Sequence, residues 1–118
     1  MDFKKLFTGA VLAATVVTAV SLTNSAEAGK IEDIQKAGVL KIGTTMDYVP
    51  MSYIDAKGEL KGHDIELGKV LAKSLGVKPE FVKTTWSTLA ADTQAGKFDV
   101  AISGISRNFK RQADMDLS

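Results

Sequence analysis

The sequence predicts an α/β fold, a mainly parallel sheet flanked by helices. Beyond Gly38, short apolar runs with strand character alternate with helical stretches in a β–α–β–α–β succession. The connections between them are short, which favours strands lying side by side and parallel with helices on the faces. The 118 residues contain no cysteine. The fold therefore needs no disulfide, and no thiolate metal site is available.

Residues 1–28 read as a signal peptide rather than as part of the fold. Lys4 and Lys5 form a short basic region, residues 6–22 are apolar or small and uncharged, and Ala26-Glu27-Ala28 has the small-x-small pattern of a cleavage site. A membrane-anchoring helix is the alternative. The many Ala, Thr and Gly residues and the cleavage-like end favour removal, and no cysteine follows that would carry a lipid. Export with cleavage after Ala28 is expected. Setting aside Lys4, Lys5, Asp2 and Glu27 leaves the net charge at +1, the value for the whole chain. That balance gives no reason to expect nucleic acid or an anionic membrane as a partner.

The elements follow in order. Residues 31–37 form a short helix closed by Gly38, and residues 39–43 (VLKIG) form a strand that ends in a loop over 44–50. Pro50 blocks a helix there and holds Val49 extended. Residues 51–54 are a second short strand; Asp55-Ala56-Lys57-Gly58 has hairpin-turn chemistry, and residues 59–62 return from it. Asp64 starts a helix to about Leu75, with Leu67, Val70, Leu71, Ser74 and Leu75 on one stripe at helical spacing and Gly76 as its stop. Residues 80–84 are the next strand, Thr85-Trp86 its exit, and Ser87 the cap of a helix through Ala95 that Gly96 ends.

The most informative stretch is 99–112, DVAISGISRNFKRQ. A buried-strand run breaks at Gly104 into a turn bearing Ser103 and Ser106. Asn108 then caps a helix whose first turns bring Arg111 back toward the strand end. Helix-start N–H groups, hydroxyls and a guanidinium converging in this way suit a small carboxylate. An ordinary strand-turn-helix connection with a solvated Lys110–Arg111 pair is the plainer alternative. Parallel sheets bind ligands beyond the carboxyl ends of their strands, and three such ends are visible, at 44–48, 85–86 and 103–106. Tyr48 and Trp86 at two of them suit a ligand side chain, or are simply rim aromatics. Ser103, Ser106 and the Gly104 carbonyl would receive an ammonium, with Arg111 and the Ser106 N–H on the carboxylate. The preferred reading of Asp47 is a loop residue capping its own backbone.

Other chemistry finds little support. His63 is the sole histidine, which effectively excludes His-based zinc chemistry and a Ser-His-Asp triad. Gly62 and Gly68 make no nucleotide fingerprint. No metal, no cofactor and no catalytic residue is expected in this chain.

These motifs resemble the periplasmic solute-binding proteins of family 3, the amino-acid receptors of ABC importers. The resemblance runs through GVLKIGTTMDYVPMSYID (38–55), GELKGHDIELGKVLAKSLG (58–76) and the stretch from Gly96 to Arg111. His63 stands where the family's signature has an aromatic or aliphatic residue. The resemblance implies a two-lobed protein of which residues 29–118 are the N-terminal part of lobe one, the closing residues Met115 to Ser118 beginning a further strand. It implies that Arg111 clamps an α-carboxylate, that the positions from Ser103 to Ser106 hold the ammonium, and that Tyr48 and Trp86 meet the side chain. Hinge closure would bury the ligand, and a periplasmic monomer would deliver it to an ABC permease. Thr44-Thr45-x-Asp47-Tyr48-x-Pro50, Thr85-Trp86 and the run from Ser103 to Gln112 also look like the family's enzyme branch, the cyclohexadienyl (prephenate/arogenate) dehydratases. A sensor domain of a membrane receptor is a third reading.

Overall fold

The computed structural model describes residues 30–118; the expected signal peptide lies outside the described residues. Residues 30–37 are helical, and the segment Ala37–Ser118 forms a compact unit of its own. In it the chain runs β1 (Val39–Thr44), β2 (Asp47–Tyr48), β3 (Ser52–Ile54), β4 (Leu60–Lys61), α1 (His63–Ser74), β5 (Lys78–Lys83), α2 (Leu89–Gln94), β6 (Val100–Ala101) and α3 (Phe109–Asp114).

β1, β5 and β6 form a three-stranded parallel sheet in the order β5-β1-β6. Val39 to Thr44 lie opposite Lys78 to Lys83, and Ile42 and Gly43 lie opposite Val100 and Ala101. The first strand in sequence is thus the central one. Its residues Leu40 and Ile42 are buried, at 2% and 0% exposure. Because the chain leaves β1 toward β5 and then crosses to β6, the order reverses at β1, where α/β sheets open a crevice at the carboxyl edge. A second, antiparallel sheet, β2-β3-β4, grows from the β1 exit. Its β3–β4 turn is held by Asp55, whose carboxylate accepts the N–H groups of Lys57 and Glu59 at 2.9 Å and pairs with Lys61 at 3.2 Å. The Glu59 N–H foremost, with Lys61, holds that carboxyl below its ordinary value.

α1 packs on the sheet through a face that apolar spacing does not reveal. The expected stripe placed Leu67 and Val70 inward, but they are 47% and 64% exposed. Asp64, Ile65, Gly68 and Ala72 are the buried residues instead. Close approach of the helix explains the difference, since a Cβ on Gly68 would sit 2.9 Å from Ile42 and 3.0 Å from Phe81. At Gly68 the sheet leaves no room for a side chain. Ile42, Ile65 and Leu89, all essentially buried, each stabilise the unit by roughly 1.5–3 kcal/mol.

α2 begins later than expected, with Thr88 rather than Ser87 at its N-cap. Thr85 supplies the local cap, its hydroxyl accepting the Thr88 N–H at 3.1 Å. Within α2, Asp92 is buried. It accepts the hydroxyls of Thr84 (2.8 Å) and Thr88 (2.9 Å) and pairs with Lys97 at 2.8 Å. Lys97 first, then the two threonines, hold the Asp92 carboxyl below its ordinary value.

Candidate functional site

Where β1 ends, four hydroxyl residues meet and are closed off from solvent: Thr44, Thr45, Ser52 and Ser103. The Ser103 Oγ accepts the Thr45 N–H at 3.0 Å and the Thr44 hydroxyl at 3.3 Å, and shares a 2.7 Å bond with the Thr45 hydroxyl. A hydroxyl has two acceptor positions and one proton, so Ser103 donates to Thr45. The Thr44 proton being spent on Ser103, Thr44 accepts from Ser52 in the short bond between them. The Ser52 Oγ in turn accepts the Met46 N–H at 3.2 Å. One direction of donation thus runs Ser52 to Thr44 to Ser103 to Thr45. The Ser103 hydroxyl, 1% exposed, therefore spends its bonds on Thr44 and Thr45 at the exit of β1.

Above this floor lies an open rim. Tyr48 and Trp86 stand with ring centroids 6.0 Å apart and planes tilted by 58°. The Arg111 guanidinium carbon lies 5.7 Å from the Trp86 ring centroid, in cation–π range. Arg111 Nη1 donates to the Ser106 carbonyl at 2.8 Å and to the Ser106 hydroxyl at 3.0 Å. Among the described residues no carboxylate pairs with this guanidinium. Asn108 caps α3 as expected, its Oδ1 accepting the Arg111 N–H at 2.8 Å. The cap fixes the start of the helix one turn before Arg111 and so directs that side chain back toward the turn at 103–106. Asp47 departs from expectation. Its Oδ1 accepts the Trp86 indole N–H at 3.1 Å, 39 residues away, and so ties the first strand exit to the second.

Gly104 joins floor and rim. Its φ of +61° is left-handed, and a Cβ there would come within 3.2 Å of both Met51 and Tyr48; only glycine meets both conditions without strain. Its N–H is donated to Asp64 Oδ2, a carboxylate with 6% of its side chain exposed. The second Asp64 oxygen meets His63 Nδ1 at 3.0 Å. The sequence shows Asp64 only as the start of a helix. Its signal in the sequence is its place in the Gly62-His63-Asp64 run, but the partner lies 40 residues on and no local pattern reveals it.

Five of the six expected site residues therefore form one linked group at the strand exits: Tyr48, Trp86, Gly104, Ser106 and Arg111. The sixth, Ser103, lies beneath it. The arrangement offers a planar cation, two aromatic faces and a turn of polar backbone, which suits a small anion carrying an apolar or flat group. Among the described residues no cluster of three or more His, Asp or Glu is placed to hold a metal ion.

The sequence profile of the bacterial extracellular solute-binding proteins, family 3, matches residues 40–118. A cyclohexadienyl dehydratase from Pseudomonas aeruginosa is 40% identical over 92 residues, covering 78% of this chain and 34% of that protein. A probable amino-acid ABC transporter-binding protein from Haemophilus influenzae is 37% identical over 98 residues, covering 82% of this chain and 37% of that one. Among solved structures, an ancestral cyclohexadienyl dehydratase is 52% identical with a TM-score of 0.69, over 70% of this chain and 34% of that one. The chain spans about a third of the length of these relatives.

Proposed function

The chain belongs to the bacterial extracellular solute-binding proteins, family 3, and from that premise we propose that it forms the part of a binding lobe that grips the carboxylate end of an amino acid. The observation that carries the reading is Arg111. Its guanidinium is aimed by the Ser106 carbonyl and hydroxyl, lies by the Trp86 ring, and has no carboxylate partner among the described residues. A bidentate carboxylate is the group that such a fork matches best. Tyr48 and Trp86 take the ligand side chain, and the Gly104 and Ser106 backbone takes its polar head; Ser103 acts from beneath by holding the strand exit. The name of the Haemophilus influenzae relative supports delivery to an ABC importer, with the protein acting as a monomer beside its permease. The apolar, uncharged run at 6–22 and the Ala26-Glu27-Ala28 end support periplasmic export with Gly29 as the first mature residue. Mass spectrometry of the periplasmic protein tests this; an intact 1–28 segment held in the membrane would refute it.

A second reading, a cyclohexadienyl dehydratase, is favoured by the Pseudomonas aeruginosa relative. Dehydration needs a proton donor beside the departing hydroxyl. Asp47, the rim carboxylate, is engaged as an acceptor by the Trp86 indole, which favours binding over turnover within this part of the protein. The deciding experiment uses the full-length protein. Thermal shifts are screened against the common amino acids, and prephenate and arogenate are incubated with it while phenylpyruvate and phenylalanine are followed. Stabilisation by an amino acid without turnover supports the receptor; turnover moves the assignment to the dehydratase.

A further inference from the structure

We propose that Asp64 is a positioning residue for the ligand-binding turn: its buried carboxylate fixes the turn at 103–106 through the Gly104 N–H and thereby aims Arg111. This rests on the reading of Arg111 as the carboxylate clamp. Asp64 is a buried ionisable group that neither ligand recognition nor core packing uses directly. Both of its oxygens are committed, one to Gly104 N–H and one to His63 Nδ1, and the first turn of α1 favours its negative charge.

The consequence travels along the chain in two steps. Gly104 is wedged in left-handed backbone against Tyr48 and Met51, so its N–H direction sets the course of the next two residues. At the second of these, Ser106, both the carbonyl and the hydroxyl receive Arg111 Nη1. A turn that loses its Asp64 anchor shifts the two acceptors that orient the guanidinium, and with them the contact between Arg111 and Trp86. Ser103 anchors the same turn from its other side. The two anchors come from different elements, Thr45 at the exit of β1 and Asp64 at the start of α1.

The test needs no ligand. Trp86 emission in the full-length protein, isolated by subtracting the spectrum of the matched Trp86→Phe variant, reports the surroundings of that ring, the Arg111 guanidinium among them. Hydrogen exchange over 103–106 reports the turn. Asp64→Ala is expected to accelerate exchange there roughly tenfold or more, as loss of a charge-assisted bond implies, and to shift the Trp86 emission. Asp64→Asn, which keeps a carbonyl acceptor, restores most of both. Ile65→Val, a control in the adjacent buried position, lowers the melting temperature and leaves both readouts at wild type. Wild-type exchange and emission in Asp64→Ala would overturn the proposal, as would Ile65→Val reproducing its changes. Should Asp64→Ala not fold, Asp64→Glu, which sets the carboxylate one methylene further out, carries the same expectation and the same refutation. A full-length protein that binds no amino acid would sink the functional reading and leave these two readouts to decide the role of Asp64.

Discussion

Floor and rim of the strand exits are built on opposite terms. Thr44, Thr45, Ser52 and Ser103 are 0–2% exposed, and each hydroxyl spends its bonds on the others or on the nearby backbone. Tyr48 and Trp86 are 42% and 37% exposed; their rings face each other at 6.0 Å, and Trp86 also meets Asp47 and Arg111. Polar side chains have gone inside and aromatic ones outside, the reverse of the usual partition. The floor tolerates this because no buried side-chain polar atom among the described residues lacks a partner. On the proposed function, the apolar surface of the rim is covered when a ligand binds. Changes in the floor should therefore act on folding, and changes in the rim on binding.

The largest effect that sharpens this contrast is at Arg111. In the full-length protein Arg111→Ala should weaken ligand binding by roughly 2–5 kcal/mol, the usual loss when one member of a desolvated charge pair is removed. Arg111→Lys should recover only part, because an ammonium lacks the planar fork. The melting temperature should hardly move in either. Calorimetry alongside thermal melts checks both halves; a variant that binds as wild type would remove Arg111 from the site. In the floor, Ser103→Ala leaves the Thr45 N–H buried without its acceptor and should cost about 1–3 kcal/mol of folding free energy, measured by urea unfolding. A loss of affinity with stability intact would return the Ser103 hydroxyl to the ligand. Asp47→Ala is a rim change of small consequence for folding, within about 0.5 kcal/mol. It should still alter Trp86 emission, because the indole loses its acceptor.

The mildest effect lies away from both. Asp92 has its carboxyl held below the ordinary 3.8, so its contribution to stability is complete above that value. It is lost as pH falls through the lower folded value. Urea midpoints followed from about pH 5 downward should therefore fall more steeply in the wild type than in Asp92→Asn. Equal slopes would mean that Lys97 and the two threonines do not hold the charge.

What the sequence made legible was local or periodic. The parallel strands, the hairpin around Asp55 and the Asn108 cap are each written in a few neighbouring residues, and all three are present. The path from Arg111 back to Ser106 was equally visible, because five residues of turn and cap decide it. Features set by distant contacts were hidden. The buried face of α1 follows from how closely Ile42 and Phe81 approach Gly68, and spacing within the helix carries no information about that distance. The enclosure of the Ser103 hydroxyl by Thr44 and Thr45, 59 and 58 residues earlier, was equally hidden. Asp47 and Asp64 likewise have partners 39 and 40 residues away.

The outer strand β5 has a consequence for the molecule before it is fully folded. Lys78, Pro79, Glu80 and Lys83 are exposed along it. An unpaired strand edge is a template on which another chain can grow, and charges and an imide nitrogen are the features that spoil such a template. A molecule that is not yet fully folded therefore presents a guarded border on this side, next to the central strand β1. Any strand that joins the sheet, from whatever source, is directed to the opposite border beside Val100 and Ala101.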